Sequence, residues 1–466
     1  MSPLPFTGEG GPKGRERAIA TGPLPQPLSH KWERGANWLS DSNKQMTSMA
    51  FASNSLADWL SYQERTHPKA IELGLERTRA VALRLGLLPA QSVTLTVAGT
   101  NGKGSSVTLA AAIYQAAGYR VGRFTSPHLL RYNERVAIDG VEVSDEALCR
   151  AFAAIETARA EIPLTYFEFG TLAALWLFHE AAVQVQVLEV GLGGRLDAVN
   201  IVDADCALVT NIGLDHTDWL GPDRDSIGFE KAGIMRAGKP AIYVETSPPQ
   251  RLLQHAAAVG APLALLGRDF AWTHNADRSW NWRGGTVAYA ALPPPALAGE
   301  VQYRNAAGVL AAVNALQPLC PVNEAALRAA LPALTLAGRY QRIGNTILDV
   351  AHNVESAEVL ADNLRSERGP GKTWLVLGML ADKPVEAVCA VLAPLVQGTL
   401  FGGLPPPRGL DARSLQQRAA VAGLNGQVLD GVAEAYRAAQ ALAGPDDRIL
   451  VCGSFLTVAA VADLLF

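Results

Sequence analysis

Residues 93–105 of the chain read VTLTVAGTNGKGS, and this stretch decides the fold class. Its first part, Val93–Val97, is a short β-branched run of the kind that forms a buried strand. A helical pattern begins at Lys103 and ends near Gly118. Because a strand, a glycine loop and a helix follow in the order of a phosphate-binding unit, the sequence predicts an α/β fold with a P-loop-type parallel sheet.

The loop between the strand and the helix is predicted to bind ATP. Its glycines let the backbone turn tightly and present amide hydrogens to phosphate oxygens at a helix N-terminus. Lys103 is expected to bridge the terminal phosphates. The predicted nucleotide-binding residues of the loop are Gly99, Thr100, Asn101, Gly102, Lys103, Gly104 and Ser105.

The loop departs from the strict phosphate-loop pattern at two positions. That pattern has Gly five residues before the glycine of the Gly-Lys pair and Ser or Thr directly after the lysine, where this chain has Val97 and Gly104. A bare glycine pair would favour a glycine-rich turn without a ligand. Lys103, with a strand before it and a helix after it, favours phosphate binding.

The composition limits the classes of function. Of 466 residues, 49% are hydrophobic and 18% are charged, which suffices for a large apolar core and favours at least two domains. The formal net charge of -4 gives no reason to expect nucleic acid or a membrane as a partner. The five cysteines lie far apart, without the spacing of a zinc site or a redox pair. We expect a cytoplasmic monomer that acts on small molecules.

Residues 1–48 form a tail that is rich in Gly, Pro and Ser and has no sustained period. This composition predicts disorder. The alternative is that translation starts later than Met1, because Met46 and Met49 lie just before the first segment with a helical period. A basic targeting arm is less favoured, because Glu and Pro dilute the basic residues.

Strand-like and helical segments alternate along the middle of the chain. The apolar runs Val183–Val190, Ala204–Ile212 and Pro240–Glu245 favour a mostly parallel sheet with crossovers. Residues 284–299 are predicted to be irregular, with a helix beginning near Asn305.

A second strand-and-helix series follows this irregular segment. Its predicted strands are Ile347–Val350, Thr373–Leu377, Gly398–Phe401 and Arg448–Cys452. The sequence therefore predicts an ATP-binding α/β domain over residues 49–335 and a smaller Rossmann-like α/β domain over residues 336–466. We expect the site to lie in the cleft between them.

Glu189 and His216 are candidate Mg²⁺ ligands, since Mg²⁺ would accompany a triphosphate. Glu189 ends an apolar run, where a carboxylate has little reason to lie unless it points into a site at the carboxyl end of the strand. A surface cap is the alternative, but the glycine-rich residues 191–194 that follow favour the metal. His216 comes after the run that ends at Ile212, and alone it would more often be a structural histidine.

The motifs of the chain resemble the Mur ligase superfamily and, more closely, the folylpolyglutamate synthases, many of which are also dihydrofolate synthases. The similarity covers nearly the whole chain from Ser55. The motifs that carry it, in chain order, are AGTNGKGS, FTSPHL, TYFEFGTLAAL, LEVGLGGRLDAVN, LDHTDWLG, EKAGI, GRYQ, LDVAHN and VCGSF. The resemblance implies ATP-dependent addition of L-glutamate to dihydropteroate and to the glutamyl tail of tetrahydrofolate, through an acyl phosphate.

The resemblance also implies the metal ligands. Ser126, Glu189 and His216 match the positions that bind Mg²⁺ in the family. Lys231 matches a lysine that is carbamylated and holds a second Mg²⁺, although an exposed helix lysine is the alternative. A monovalent cation such as K⁺ is a further predicted cofactor.

Nucleotide and glutamate contacts are implied in the second half of the chain. Asn305, Arg339 and Asp349 match nucleotide-contacting positions, although Asn305 would also suit a helix N-cap. Arg339 could neutralise charge on the transferred phosphoryl group. His352 and Ser454 match positions that contact the incoming glutamate.

A third set of residues is predicted to bind the acceptor of the glutamate, which contains a pterin. Aromatic side chains in residues 165–171 could stack on a pterin, whereas Phe169 is expected to be core. The residues that match pterin-contacting positions are Thr165, Leu196, Asp197 and Ala198, with Glu72 and Leu73 as weaker candidates.

Two other classes of protein share part of this pattern. A Mur-type ligase that adds amino acids to a peptidoglycan precursor has the same loop and chemistry, but LEVGLGGRLDA and TYFEFGT favour folate. A nucleotide switch without ligase activity would need no second domain, and LDVAHN with the α/β series after it argues against that class.

Overall fold

The computed structural model describes residues 55–67, 69, 71–367 and 369–465, which belong to one compact unit. The predicted tail over residues 1–48 and the alternative start at Met49 lie outside the described residues.

The strands and helices of the described residues alternate along most of the chain, as predicted. In chain order the strands are β1 (Val93–Ala98), β2 (Val121–Phe124), β3 (Val136–Ile138), β4 (Val141–Glu142), β5 (Val185–Glu189), β6 (Cys206–Val209), β7 (Ala241–Tyr243), β8 (Leu263–Leu265), β9 (Phe270–His274), β10 (Trp280–Gly284), β11 (Val287–Leu292), β12 (Gln341–Ile343), β13 (Thr346–Leu348), β14 (Thr373–Leu377), β15 (Gly398–Gly402), β16 (Gln427–Leu429) and β17 (Arg448–Cys452). The α-helices are Leu56–Thr66, Glu76–Arg84, Lys103–Ala116, Asp145–Arg159, Tyr166–Glu180, Thr217–Leu220, Arg224–Ala232, Gln250–Val259, Glu300–Ala315, Glu324–Ala330, Val354–Ser366, Val385–Leu392, Ala412–Ala420, Val432–Leu442 and Phe455–Leu465.

The first sheet carries the phosphate loop near its centre. Its eight strands follow the order β4-β3-β2-β5-β1-β6-β7-β8, and β1 pairs in parallel with both β5 and β6. Only β3 and β4 run antiparallel to their neighbours. The predicted, mostly parallel sheet is confirmed, and its buried strands are the β-branched runs of the sequence.

Both faces of this sheet are covered by helices. Val187 and Leu188 alternate along β5 and therefore point to opposite faces. Val187 packs in a cluster with helix Lys103–Ala116, and Leu188 packs in another with helix Tyr166–Glu180. Because both faces are apolar, polar groups of the sheet concentrate at the ends of the strands.

A second sheet lies after residue 340, with the order β12-β13-β17-β14-β15-β16. Its strands are parallel except β12, which pairs antiparallel with β13. The four strands predicted here are present, which confirms the α/β series. The predicted domain boundary falls between the 3₁₀ turn Leu331–Ala333 and β12.

The segment predicted to be irregular contains a strand. β11 pairs with β10, and β10 pairs with β9, in a small antiparallel sheet that the sequence did not indicate. Trp282 of β10 is buried, and its Nε1 donates to the carbonyl oxygen of Ala307 at 3.0 Å. This contact attaches the small sheet to helix Glu300–Ala315.

That helix begins at Glu300, five residues before the predicted start. Gly299, with φ of 101°, is its N-cap. Asn305 therefore lies inside the helix, and its alternative role as an N-cap is wrong. Among the described residues, no helix has the length and apolar character needed to cross a membrane.

Candidate functional site

A single cavity of about 750 Å³ lies at the carboxyl ends of the central strands of both large sheets. Every residue predicted above to bind nucleotide, metal, pterin or glutamate lines this cavity. The ends of parallel strands are the expected position for a ligand site in an α/β fold. The structure therefore places the residues that were predicted from the sequence around one cavity.

The phosphate loop has the conformation that its glycines were expected to allow. Gly102, with φ of 81°, is the N-cap of helix Lys103–Ala116. A Cβ atom on Gly102 would lie 2.8 Å from Nδ2 of Asn305, so that the loop and helix Glu300–Ala315 approach closely. Asn305 Oδ1 is buried and has no hydrogen-bond partner within the described part of the chain. An unpaired buried acceptor beside this loop suits a ligand that donates a hydrogen bond.

Two lysines converge on one carbonyl group of this loop. Lys103 Nζ donates to the carbonyl oxygens of Gly99 at 3.0 Å and of Thr100 at 3.2 Å. Lys231 Nζ donates to the same oxygen of Gly99 at 2.9 Å. Neither ammonium group forms an ion pair with a carboxylate of the described residues. The Lys103 ammonium, which has no acid paired with it in the described residues, prepares the loop for an anion.

Burial changes the acid–base behaviour of both lysines. It lowers the pKa of Lys231 to about 7, and the charge of Lys103 acts in the same direction. Burial also lowers the pKa of Lys103, an effect that the Glu189 carboxylate opposes. Lys231 is only 4% exposed, so that its alternative interpretation as an exposed helix lysine is wrong.

Glu189 lies at the end of β5, beside the start of the phosphate-loop helix. It is 4% exposed, which excludes the alternative of a surface cap. Its Oε2 accepts a hydrogen bond from the backbone N–H of Ser126 at 3.1 Å. Burial raises the pKa of this carboxyl, and the positive charge of Lys103 opposes the rise. One buried carboxylate next to a serine fits a Mg²⁺ that takes its remaining ligands from phosphates and water.

His216 lies on the loop after β6, with a left-handed φ of 53°. Burial lowers the pKa of its imidazole to about 4, so that the ring is neutral at neutral pH and can offer a nitrogen lone pair. The described residues contain no group of three His, Cys, Asp or Glu side chains that could hold a metal by themselves. Glu189 and His216 would therefore need Ser126 and oxygen atoms of a substrate to complete the coordination of Mg²⁺.

Asp215 is the centre of an ion-pair network that the sequence did not predict. Its Oδ1 lies 2.7 Å from Nζ of Lys383, and its Oδ2 lies 3.4 Å from Nε2 of His352. Asn353 Nδ2 also donates to Oδ2 at 3.3 Å. Although burial opposes it, the hydrogen bond from His352 and the neighbouring positive charges hold the pKa of Asp215 well below its ordinary value. The loop of the first sheet is thus tied to the second sheet.

A reciprocal amide pair makes a further connection between the sheets. Asn101 Nδ2 donates to Asn353 Oδ1 at 3.3 Å, and Asn353 Nδ2 donates to Asn101 Oδ1 at 3.1 Å. The backbone N–H of Asn101 donates to Asn211 Oδ1 at 2.7 Å. The phosphate loop therefore contacts both the loop after β6 and the N-cap of helix Val354–Ser366.

Arg339 and Asp349 lie on the side of the cavity that belongs to the second sheet. The Arg339 guanidinium lies 5.1 Å from the ring of Phe455, and its Nη1 donates to the carbonyl oxygen of Gly338 at 3.3 Å. Asp349 follows β13 and accepts from the backbone N–H of Tyr340 and of Ala351, both at 2.8 Å. β13 is the second strand of this part of the chain, not the first as predicted, because β12 precedes it.

Several side chains that are predicted to contact the substrates also form hydrogen bonds or ion pairs within the protein. Thr165 caps helix Tyr166–Glu180, Asp197 Oδ2 accepts from the N–H of Leu192 at 2.8 Å, and Ser454 Oγ accepts from the N–H of Thr457 at 3.0 Å. Glu72 pairs with Arg77 at 3.3 Å. These side chains line the cavity, but part of their hydrogen-bonding capacity is used within the protein.

The sequence reasoning missed Lys383, Asp215 and Asn353, as well as Arg135 on the acceptor side of the cavity. Asp215 and Asn353 lie inside the motifs LDHTDWLG and LDVAHN, which were the available signal for them. Phe169 is fully buried, which confirms the expectation that it belongs to the core.

The chain is similar to known proteins over most of its length. The glutamate ligase domain of Mur ligases matches residues 338–455. The chain is 46% identical over 418 residues to the dihydrofolate synthase/folylpolyglutamate synthase of Escherichia coli strain K12, covering 89% of this chain and 96% of that protein. Escherichia coli FolC in complex with DHPP and ADP has a TM-score of 0.84 and 46% sequence identity, over 89% of this chain and 98% of that chain. A bifunctional folylpolyglutamate synthase/dihydrofolate synthase with Mn, AMPPNP and L-glutamate bound has a TM-score of 0.83 and 45% identity, over 89% and 98% of the two chains.

Proposed function

The chain belongs to the dihydrofolate synthase/folylpolyglutamate synthase family of the Mur ligase superfamily, and on this premise we propose that the cavity is its active site. The protein is an ATP-dependent ligase that joins L-glutamate to dihydropteroate and to the glutamyl tail of tetrahydrofolate. One observation carries the proposal: the residues predicted for nucleotide, metal and both substrates line one cavity. The relatives carry folate names, so that the peptidoglycan-precursor alternative is not supported.

Ligation takes two displacements. A carboxylate oxygen of the acceptor attacks the γ-phosphorus of ATP, ADP leaves, and an acyl phosphate forms. The unprotonated amine of L-glutamate then attacks the acyl carbon, so that an amide bond forms, inorganic phosphate leaves and the amine loses a proton. Catalysis of such phosphoryl transfer consists mainly of positioning and charge neutralisation.

The residues around the phosphate loop supply this neutralisation. Lys103 and the loop amides bind the phosphates, which take the place of the Gly99 carbonyl as partners of the Lys103 ammonium. Arg339 reaches the transferred phosphoryl group from the other side of the cavity. Mg²⁺, which Glu189, Ser126 and His216 would hold together with phosphate oxygens and water, supplies positive charge against the triphosphate.

The remaining predicted residues are assigned to the nucleotide and the two substrates. Asn305 and Asp349 contact the nucleotide, and His352 and Ser454 contact L-glutamate. The pterin is assigned to the cavity wall that carries Thr165, Leu196, Asp197 and Ala198, with Glu72 and Leu73 at its margin.

Lys231 is assigned to carbamylation. With a pKa near 7, its amine is partly unprotonated at neutral pH and can attack CO₂, which forms an N–C bond and releases a proton. The carbamate would offer oxygens to a second Mg²⁺. Native mass spectrometry in the presence of bicarbonate should detect one added CO₂ in the wild type and none in Lys231→Arg. A wild-type mass equal to that calculated from its sequence, without added CO₂, would contradict this assignment.

The overall function is tested by ADP formation with each acceptor and by the mass of the product. Wild-type protein with ATP, Mg²⁺ and L-glutamate should form ADP only when dihydropteroate or tetrahydrofolate is added, and the product should gain one glutamyl residue. Equal ADP formation with and without an acceptor would reject the ligase function.

We also propose the finer properties that the sequence predicts: a monomer, a cytoplasmic location, a K⁺-type cofactor and a domain division at residues 335/336. Light scattering at several protein concentrations tests the monomer. Activity measured in K⁺ and in a bulky monovalent cation tests the cofactor.

A further inference from the structure

Arg135 is a buried arginine at the edge of the cavity, and no Asp or Glu of the described residues forms an ion pair with it. It ends the 3₁₀ turn Tyr132–Arg135, directly before β3, and is 8% exposed. Its backbone carbonyl accepts from the N–H of Thr125 at 2.9 Å. The residue is therefore fixed by the pairing of β2 with β3, and its side chain lines the cavity.

The side chains that contact this guanidinium directly are not acidic. Its Nε donates to Nδ1 of His128 at 2.8 Å. Its Cζ lies 5.2 Å from the ring centroid of Tyr132 and 5.6 Å from that of Tyr166. Aromatic faces attract a cation, but they accept no conventional hydrogen bond, and within the described residues His128 is the hydrogen-bond acceptor of this side chain, through Nε.

Arg159 provides a contrast within the same half of the chain. It is 9% exposed, and Glu156 accepts from its Nε at 2.6 Å and from its Nη2 at 2.5 Å. No Asp or Glu of the described residues forms such a pair with Arg135. A buried charge is costly without an opposite charge. Binding of an anionic ligand would therefore supply the negative charge that Arg135 lacks among the described residues.

The position of Arg135 identifies which ligand this is. Ser126, whose N–H donates to Glu189, and His128, which accepts from Arg135, lie two residues apart in the same loop. Their Cα atoms are therefore at most about 7 Å apart. Glu189 and Arg135 thus border the same short loop, and both line the cavity. A glutamyl residue has two carboxyl groups, of which one can react at the phosphate loop and the other can bind Arg135.

We propose that Arg135 binds the α-carboxylate of the terminal glutamyl residue of a folate acceptor, whose γ-carboxyl group is the one that reacts. This inference rests on the proposed function and specifies its acceptor site. Dihydropteroate has a single carboxyl group, which reacts, and therefore has nothing to offer Arg135. Arg135 thus serves tail extension and not the first addition of glutamate.

The test compares two acceptors in one variant. In Arg135→Gln, kcat/KM for tetrahydrofolate should fall about 10- to 100-fold, the range for a lost hydrogen bond to a charged group. The value for dihydropteroate should change by less than about threefold, as for a substitution that removes no ligand contact. Arg131→Gln is the matched control, because Arg131 is exposed, pairs with Glu142 at 2.6 Å, and should affect neither acceptor.

An altered acceptor gives a second, independent measurement. Tetrahydrofolate with its α-carboxylate converted to a carboxamide should be a poor acceptor for the wild type, and Arg135→Gln should use the acid and the amide equally. If Arg135→Gln fails to fold, Arg135→Lys replaces it and should retain a preference for the acid. Equal loss of both acceptors in the variant, or equal use of acid and amide by the wild type, would overturn the inference. A wild type inactive with both acceptors would instead reject the proposed function.

Discussion

The basic side chains on the two sides of the cavity differ in what they contact. On the side of the first sheet, Lys103 and Lys231 donate to the Gly99 carbonyl and have no carboxylate partner among the described residues. On the side of the second sheet, Lys383 and His352 share the carboxylate of Asp215. The difference teaches that the Lys103 ammonium awaits an anionic ligand, whereas the Lys383 ammonium already holds the protein together.

Replacing Lys103 should have the largest effect on activity. Lys103→Gln removes a positive charge from the phosphate loop, so that kcat for ATP-dependent glutamate addition should fall about 10³-fold. Coupled measurement of ADP release checks this, with Lys239→Gln as the control, because Lys239 forms a surface pair with Asp205. Activity within threefold of the wild type would show that Lys103 does not contact the phosphates.

Replacing Asp215 should affect stability most. Asp215→Asn removes the closer of the two acids of Lys383, which is 5% exposed and keeps only Asp382 at 3.8 Å, so that the free energy of unfolding should fall by about 3 kcal/mol. Urea unfolding measures the change. Asp362→Asn is the control, because its pair with Arg365 is exposed and should contribute less than about 1 kcal/mol. Equal losses in the two variants would show that the buried Asp215 pair stabilises the protein no more than an exposed pair does.

A smaller effect is expected where the loop approaches Asn305. Gly102→Ala forces an L residue into left-handed backbone beside the Asn305 amide, at a cost of about 1–2 kcal/mol. We expect KM for ATP to rise about tenfold. Gly118→Ala carries the same type of strain, since Gly118 has φ of 90° with open space around it, and should leave KM for ATP unchanged.

The amide pair between Asn101 and Asn353 should give the smallest effect. A double-mutant cycle with alanine at both positions should yield a coupling energy of about 1 kcal/mol in unfolding, because both amides lose a partner. The pair of Asn101 with Asn323, which caps a different helix, should be additive. A coupling of zero for Asn101 with Asn353 would mean that these hydrogen bonds do not join the sheets.

The sequence identified the parts of the site that depend on local patterns. Glu189 ends a buried strand, and Asp349 directly follows one. Residues 99–105 run from the end of a strand into a helix. A short stretch of sequence is therefore enough to indicate each of them. Lys383 was missed because its partner Asp215 is 168 residues away along the chain. Such a pair exists only after the second sheet has packed against the loop of the first.

The small antiparallel sheet was missed for a related reason. The side chains of β11 are mostly half-exposed or exposed, so that its sequence lacks the apolar run of a central strand. Glycines precede it and three prolines follow it, which suggested an irregular segment. What makes it a strand is its partner β10, whose tryptophans are anchored in the core.

The order of strands in the second sheet has a consequence for synthesis of the chain. β17 is the last strand of this sheet to be translated, but it lies in the middle, between β13 and β14. The nascent chain can therefore assemble β14 to β16, whereas β13 joins them only after residues 448–452 have left the ribosome. A premature stop codon before this segment would remove the centre of the sheet instead of its edge, and would separate Asp349 from the strands beside it.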